Sequence, residues 1–229
     1  MHVLHCDNHV IVVYKPAGVP VQADDSGDLD LLSRTRRWIE VEFRKPGKAF
    51  VGLVHRLDRP ARGLVAIART SKGAARLSEQ FRSRTVSKRY QAVVHGIPPQ
   101  AQGELRDWLL SDEKGSRITK TGVGAEASLR YQVAAVRSGR ALLDIDLLTG
   151  RKHQIRVQLA SRGWPIVGDL RYGAALPLPD RSIALLAQRL SFDHPTAALR
   201  LSFEAPPPPG WPWVPDETTV LAQWLAAAT

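Results

Sequence analysis

The segment LRYQVAAVRSGRALLDIDLL, residues 129–148, holds two apolar runs joined at Ser138-Gly139. In the second run Ala141, Leu143, Ile145 and Leu147 alternate with other residues, and Asp144 and Asp146 take the opposite side. A period of two with one wet face marks a half-buried antiparallel strand. The Ser-Gly pair between the runs predicts a hairpin. An antiparallel hairpin late in the chain sets the expectation for the whole.

The same reading extends in both directions. Residues 9–14 (HVIVVY) form a short β-rich run that ends at Lys15-Pro16-Ala17-Gly18. Residues 28–44 read as a helix, with Leu32, Thr35, Ile39 and Phe43 near helical spacing. Residues 51–69 (VGLVHRLDRPARGLVAIAR) read as strand, polar loop, strand. A helix from Lys72 to Arg84 follows, capped by Ser71, with Ala74, Leu77 and Phe81 on one face. Residues 86–94 alternate as a strand, placing Val86, Tyr90, Ala92 and Val94 on one side. Residues 100–126, which include Lys114, Arg117 and Lys120, read as a mobile loop or small hairpin. Gly150 opens a turn into a helix from His153 to Arg162, stopped by Gly163. The Pro206–Pro209 run reads as a stiff spacer, followed by a terminal helix capped by Asp216. No repeat or sharp change of composition divides the chain. The expected fold is α+β: a single domain, 1–229, built around a mostly antiparallel mixed sheet with flanking helices.

Composition narrows the partners. Of 229 residues, 44% are hydrophobic and 24% charged, ordinary for a globular chain with a packed core. The charge is not ordinary: 32 Lys and Arg against 22 Asp and Glu give +10. Such a surplus attracts polyanions and opposes self-association, so the expected state is a monomer that binds nucleic acid. Most of the surplus is arginine, which grips phosphate in two places and stacks on bases. A single cysteine, Cys6, excludes an intrachain disulfide. The opening residues do not follow the signal-peptide pattern, and no stretch is apolar for long enough to cross a bilayer, so a soluble cytoplasmic location is expected.

Three segments carry candidate chemistry. In His55-Arg56-Leu57-Asp58-Arg59-Pro60 an aspartate sits among Arg56, Arg59 and Arg62. A carboxylate on a phosphate-binding surface repels its ligand, so it serves either an ion pair with Arg56 or Arg59, or catalysis. In Gly150-Arg151-Lys152-His153-Gln154-Ile155-Arg156 cations gather at a helix start, either as an anion seat or as a solvated basic face. Arg156 lies inside the helix, and a buried arginine there wants a carboxylate partner. In Lys88-Arg89-Tyr90 the tyrosine is on the apolar side of its strand, fit for the core or for stacking on an extruded base. His5, Cys6, Asp7 and His9 match no zinc spacing and read as strand and turn. No phosphate-cradling glycine loop, dinucleotide fingerprint or serine elbow is present.

Taken in order, these segments resemble the RluA-type family of RNA pseudouridine synthases. VLHCDNHVIVVYKPAGVPV, VHRLDRPARGLVAIART, KRYQAVVHG, GRKHQIRVQLA, PIVGDLRYG and LSFDHPTAALRLSFEAPPP are similar to the family's segments, in the family's order. The resemblance implies an isomerase that converts uridines in structured ribosomal or transfer RNA to pseudouridine, without cofactor or metal. It implies that Asp58 is the catalytic carboxylate and that Arg156 pairs with it, holding it ionised and oriented. Tyr90 would stack on the uracil and help move a proton. Ile155 would pack on the base, and Arg56 would enter the RNA where the target leaves. Two departures stand out. Ala61-Arg62-Gly63 replaces the usual Thr-Ser-Gly, and no separate N-terminal S4-type RNA-binding domain is expected. A non-catalytic RNA-binding protein that retained the fold is the alternative reading.

Overall fold

The computed structural model describes residues 1–113 and 115–213. Lys114 and the terminal helix expected after Asp216 lie outside the described residues. The chain order is β1 (His2–Cys6), β2 (Val10–Lys15), α1 (Leu31–Glu42), β3 (Gly52–Leu53), β4 (Arg62–Ala68), α2 (Ser71–Arg82) and β5 (Ser87–His95). It continues with β6 (Gln102–Ser111), β7 (Ser116–Thr119), β8 (Ala125–Arg137), β9 (Arg140–Leu147), α3 (Gln154–Ala160), a short turn of 3-10 helix (Leu170–Tyr172), β10 (Leu185–Asp193) and β11 (Arg200–Glu204).

The strands form one 11-stranded sheet, ordered β1-β2-β4-β10-β5-β9-β8-β6-β7, with β3 beside β4 and β11 beside β10. Only β4 and β10 pair in parallel; the other pairings are antiparallel. The mixed α+β expectation therefore holds. The hairpin read from residues 129–148 is β8–β9, and its turn residues Ser138 and Gly139 both have positive φ, 50° and 72°. Two left-handed residues give the turn whose twist matches that of the strands.

Burial follows the pattern that built the strands. Val10 to Val13 in β2 and Val65 to Ala68 in β4 are fully buried, as a strand covered on both faces requires. Ala141, Leu143 and Ile145 are buried in β9 while Asp144 is exposed. The helices α1 and α2 are anchored by Leu31, Ile39 and Leu77.

Some boundaries differ from expectation. The cap of α2 is Thr70, not Ser71, because the Thr70 hydroxyl accepts the Gly73 N–H at 3.0 Å. Residues 100–126 are largely strand: β6 pairs with β8 from Gln102↔Gln132 to Leu109↔Ala125 and turns into β7. Only Leu105 and Leu109 of β6 are buried, so the strand's polar composition hides its pairing. The helix α3 is shorter than read, running from Gln154 to Ala160, with His153 outside it at φ 52°.

Candidate active site

A cleft of about 1090 Å³ is bounded by the loop after β2, the loop between β3 and β4, one face of β5, and the turn into α3. Asp58, Tyr90, Arg156, Ile155 and Arg56 all line it. Four separate parts of the sequence meet there because β4 and β5 both flank β10, and α3 follows from β9 on the far side of β5.

The loop 54–61 holds Asp58 by backbone bonds. The Ala61 N–H donates to the Asp58 carbonyl at 3.0 Å, closing a tight turn. Below it, the fully buried Lys15 donates from Nζ to the carbonyls of Pro16, Val19 and Arg59 at 3.0, 2.9 and 3.1 Å. The ammonium thus ties the loop after β2 to the loop carrying Asp58. Burial pulls its pKa down to about 7, against the pull of Asp58.

The Asp58 side chain meets Arg156: Nη1 donates to Oδ2 at 3.2 Å. Neither Arg56 nor Arg59 is that partner. Arg59 turns outward to Asp24 at 3.3 Å and to Asp28. Arg156 itself is buried, and its firmest hold is elsewhere: Nε and Nη2 donate to the Asp169 carboxylate at 2.7 and 2.8 Å. Burial opposes the arginine's charge, but the Asp169 bonds and charge, with Asp58 behind them, outweigh it and push the pKa up. The Tyr172 ring lies under the guanidinium, 5.0 Å from its carbon.

Tyr90 is 7% exposed and still reaches the cleft wall. Burial, and then the Asp58 charge, push its pKa above the ordinary tyrosine value. Ile155, 4% exposed, offers an aliphatic surface to the same space, and Arg56 is exposed at its edge. The arrangement presents a fixed carboxylate, an aromatic ring and an aliphatic wall to one guest.

Residues 9–161 match the family model described as RNA pseudouridylate synthase. The chain belongs to the RNA pseudouridylate synthase family.

Relatives of the family agree. The chain is 32% identical over 208 residues to the uncharacterized RNA pseudouridine synthase YlyB of Bacillus subtilis, covering 88% of this chain and 67% of that protein. It is 34% identical over 227 residues to ribosomal large subunit pseudouridine synthase D of Xanthomonas campestris, covering 91% and 66%. The chain thus spans about two thirds of the length of these relatives. Its fold is that of human RNA pseudouridylate synthase domain containing 4, with a TM-score of 0.75 at 24% identity over 90% of this chain and 88% of that one.

Within this family frame, the Ala61-Arg62 departure has a local explanation. Ala61 is fully buried, and Arg62 points away to Asp180, at 2.8 Å, and to the Ser182 hydroxyl. Asp180 in turn accepts the Ser182 N–H and hydroxyl, so Arg62 belongs to a cluster of its own.

At the start of α3 Gln154 turns back, and its Oε1 accepts the Arg151 N–H at 3.0 Å and the Thr149 hydroxyl at 2.7 Å. His153 stands beside it, its Nδ1 2.9 Å from the Tyr172 hydroxyl, and burial brings its pKa down to about 4 despite Asp58. The N-terminal group is strand and turn as read: Asp7 accepts from the N–H groups of His9 and Val10 and meets His5 and His194. Among the described residues no His, Cys, Asp or Glu group is arranged to hold a metal.

Sequence reasoning missed Lys15 and Asp169. The signal for Asp169 was the requirement that a buried arginine find a carboxylate. Lys15 gave none, because its acceptors are carbonyls brought together only by folding.

Proposed function

We propose that this chain isomerises selected uridines in structured RNA to pseudouridine, with Asp58 as the catalytic carboxylate. The observation that carries the reading is the Asp58–Arg156 pair at 3.2 Å, set in one cleft with Tyr90 and Ile155. The reaction breaks the bond from uracil N1 to ribose C1′ and makes one from C5 to C1′. C5 loses a proton and N1 gains one, so composition is unchanged. An oriented carboxylate serves this chemistry as a nucleophile at C1′ or as a base at the sugar. The detached base must not diffuse away, and Tyr90 with Ile155 gives it a plate and a wall. Unstacking the target costs a few kcal/mol. Phosphate contacts drawn by the +10 charge offset that cost.

Structured ribosomal or transfer RNA is the substrate class we assign; similarity to the ribosomal large subunit synthase of Xanthomonas supports the ribosomal member of the pair. A monomer acting as one domain in the cytoplasm is the form we assign to it, since a surplus of like charge opposes pairing of copies. The test is to incubate the purified protein with RNA from cells lacking its gene and map pseudouridine by position. New pseudouridine at discrete sites is expected. RNA that stays unmodified, yet is still bound, would favour the non-catalytic alternative.

A further inference from the structure

Lys88 and Arg84 share one wall of the cleft, and among the described residues neither is met by a carboxylate. Lys88 precedes Tyr90 by two residues in β5, so both side chains leave the strand on the same face. Lys88 is half-buried and lines the cleft together with Tyr90 and Gly150. Its ammonium lies against Gly150, where an added β-carbon would stand 3.5 Å from Nζ. Arg84 reaches the same space from just beyond α2, where a φ of 62° turns the backbone out of the helix.

Several other cations near the cleft are met by carboxylates. Arg59 has Asp24 at 3.3 Å, Arg89 has Asp146 at 2.9 Å, and Arg156 has Asp169 at 2.7 Å. Among the described residues, no carboxylate or carbonyl pairs with Lys88 or Arg84. Burial, and then the charge of Arg84, pull the Lys88 pKa down to about 8. A half-buried ammonium beside a like charge is a cost to the fold. An anion entering between the two would offset it.

We propose that Lys88, with Arg84 beside it, seats a backbone phosphate of the RNA: the phosphate attached to the uridine whose base lies on Tyr90. The inference rests on the RNA reading of the cleft. Two residues of strand place Lys88 about 7 Å from Tyr90 along β5, a distance that one ribose bridges between a base and its own phosphate. An ammonium is a point charge without a preferred fork, so the 5′ and the 3′ phosphate are both chemically suited.

The test uses uridine, uridine 5′-monophosphate and uridine 3′-monophosphate, titrated into the full chain and followed by NMR chemical shifts. The wild type is expected to bind one monophosphate roughly tenfold more tightly than uridine, as a charge-assisted contact gives; which one identifies the phosphate. Lys88→Gln should lose that increment and Lys88→Arg should keep most of it. Arg84→Gln, at an exposed position that leaves folding untouched, should lose part of it. Equal binding of all three ligands, no binding of any, or an increment that survives Lys88→Gln overturns the proposal. The readout needs no turnover. A protein that makes no pseudouridine but loses its phosphate increment in Lys88→Gln keeps the phosphate seat and loses the synthase reading.

Discussion

Asp169 grips Arg156 through two hydrogen bonds, 2.7 Å to Nε and 2.8 Å to Nη2. Both side chains are buried, and this fork fixes the plane of the guanidinium before Asp58 meets its remaining nitrogen. Removing one member of a buried ion pair leaves the other charge stranded, which costs about 3–5 kcal/mol. Asp169→Asn should therefore lower unfolding stability by that order and cut turnover even where the protein stays folded. Denaturant melts beside single-turnover rates at low temperature check it. An unchanged melt would show that Asp58 alone can satisfy Arg156.

Asp58 is the opposite case. Its side chain makes one bond to Arg156 and is 25% exposed, so little of the fold depends on its charge. Asp58→Asn should abolish pseudouridine formation, keep RNA affinity within several-fold and leave the melt close to wild type. Quantitative mapping of the product, with binding by filter retention, reads this directly. Undiminished turnover in this variant would remove the carboxylate from the mechanism.

Tyr90 should act as a neutral phenol. Burial and the Asp58 charge hold its proton on past the ordinary tyrosine range. The rate should show no tyrosinate limb up to about pH 10. Tyr90→Phe should slow the reaction about 100-fold if the hydroxyl moves a proton, with a smaller loss of affinity. A pH limb below 10 that disappears in Tyr90→Phe would contradict the neutral phenol.

His55 makes stability pH-dependent. It stacks on Phe81 at 4.5 Å, and its Nε2 accepts the Ala66 N–H at 2.9 Å. Burial, helped by the Lys88 charge, brings its pKa from 6.5 down to about 3. Between those values the unfolded chain binds the proton and the native one does not. Stability from this residue is thus complete above pH 6.5 and is lost as pH falls towards 3. His153, at about 4, works in the same direction. Urea melts from pH 7 to pH 4 should show a falling midpoint, with a shallower fall in His55→Gln, which keeps an acceptor for Ala66.

How much of this was legible beforehand depended on the range of the interaction. The β8–β9 hairpin was readable because Ala141, Leu143 and Ile145 repeat every second residue and Ser138-Gly139 supplies the turn. The strand β6 was not, because it is wet on most of its length and buries only Leu105 and Leu109. Asp58, Tyr90, Ile155 and Arg156 sit in distinctive local segments, and the structure brings them to one cleft. Asp169 is fixed by a partner 13 positions away, and Lys15 by carbonyls up to 44 positions away, so neither leaves a local pattern.

Gly63 joins the site to the sheet, and its lack of a side chain is required twice. It lies in the parallel pairing of β4 with β10, opposite Ala187, two residues after the loop of Asp58 ends. Its φ of 122° lies where L side chains are strained, and an added β-carbon would stand 2.3 Å from the Ala187 carbonyl oxygen. That neighbour is backbone in the sheet, so it cannot swing aside. Gly18 provides the comparison: its φ is 81°, but nothing lies within 4 Å of the added carbon. Gly18→Ala should cost only the conformational strain, about 1 kcal/mol. Gly63→Ala adds separation of two strands to that strain and should cost several times more, because the β4–β10 hydrogen bonds and the seat of the 54–61 loop go together. Melts of both variants, with hydrogen exchange at the amides of β4 and β10, separate the two effects. Equal destabilisation by the two substitutions would mean that the sheet relaxes around Gly63 and that the close approach to Ala187 does not hold the loop.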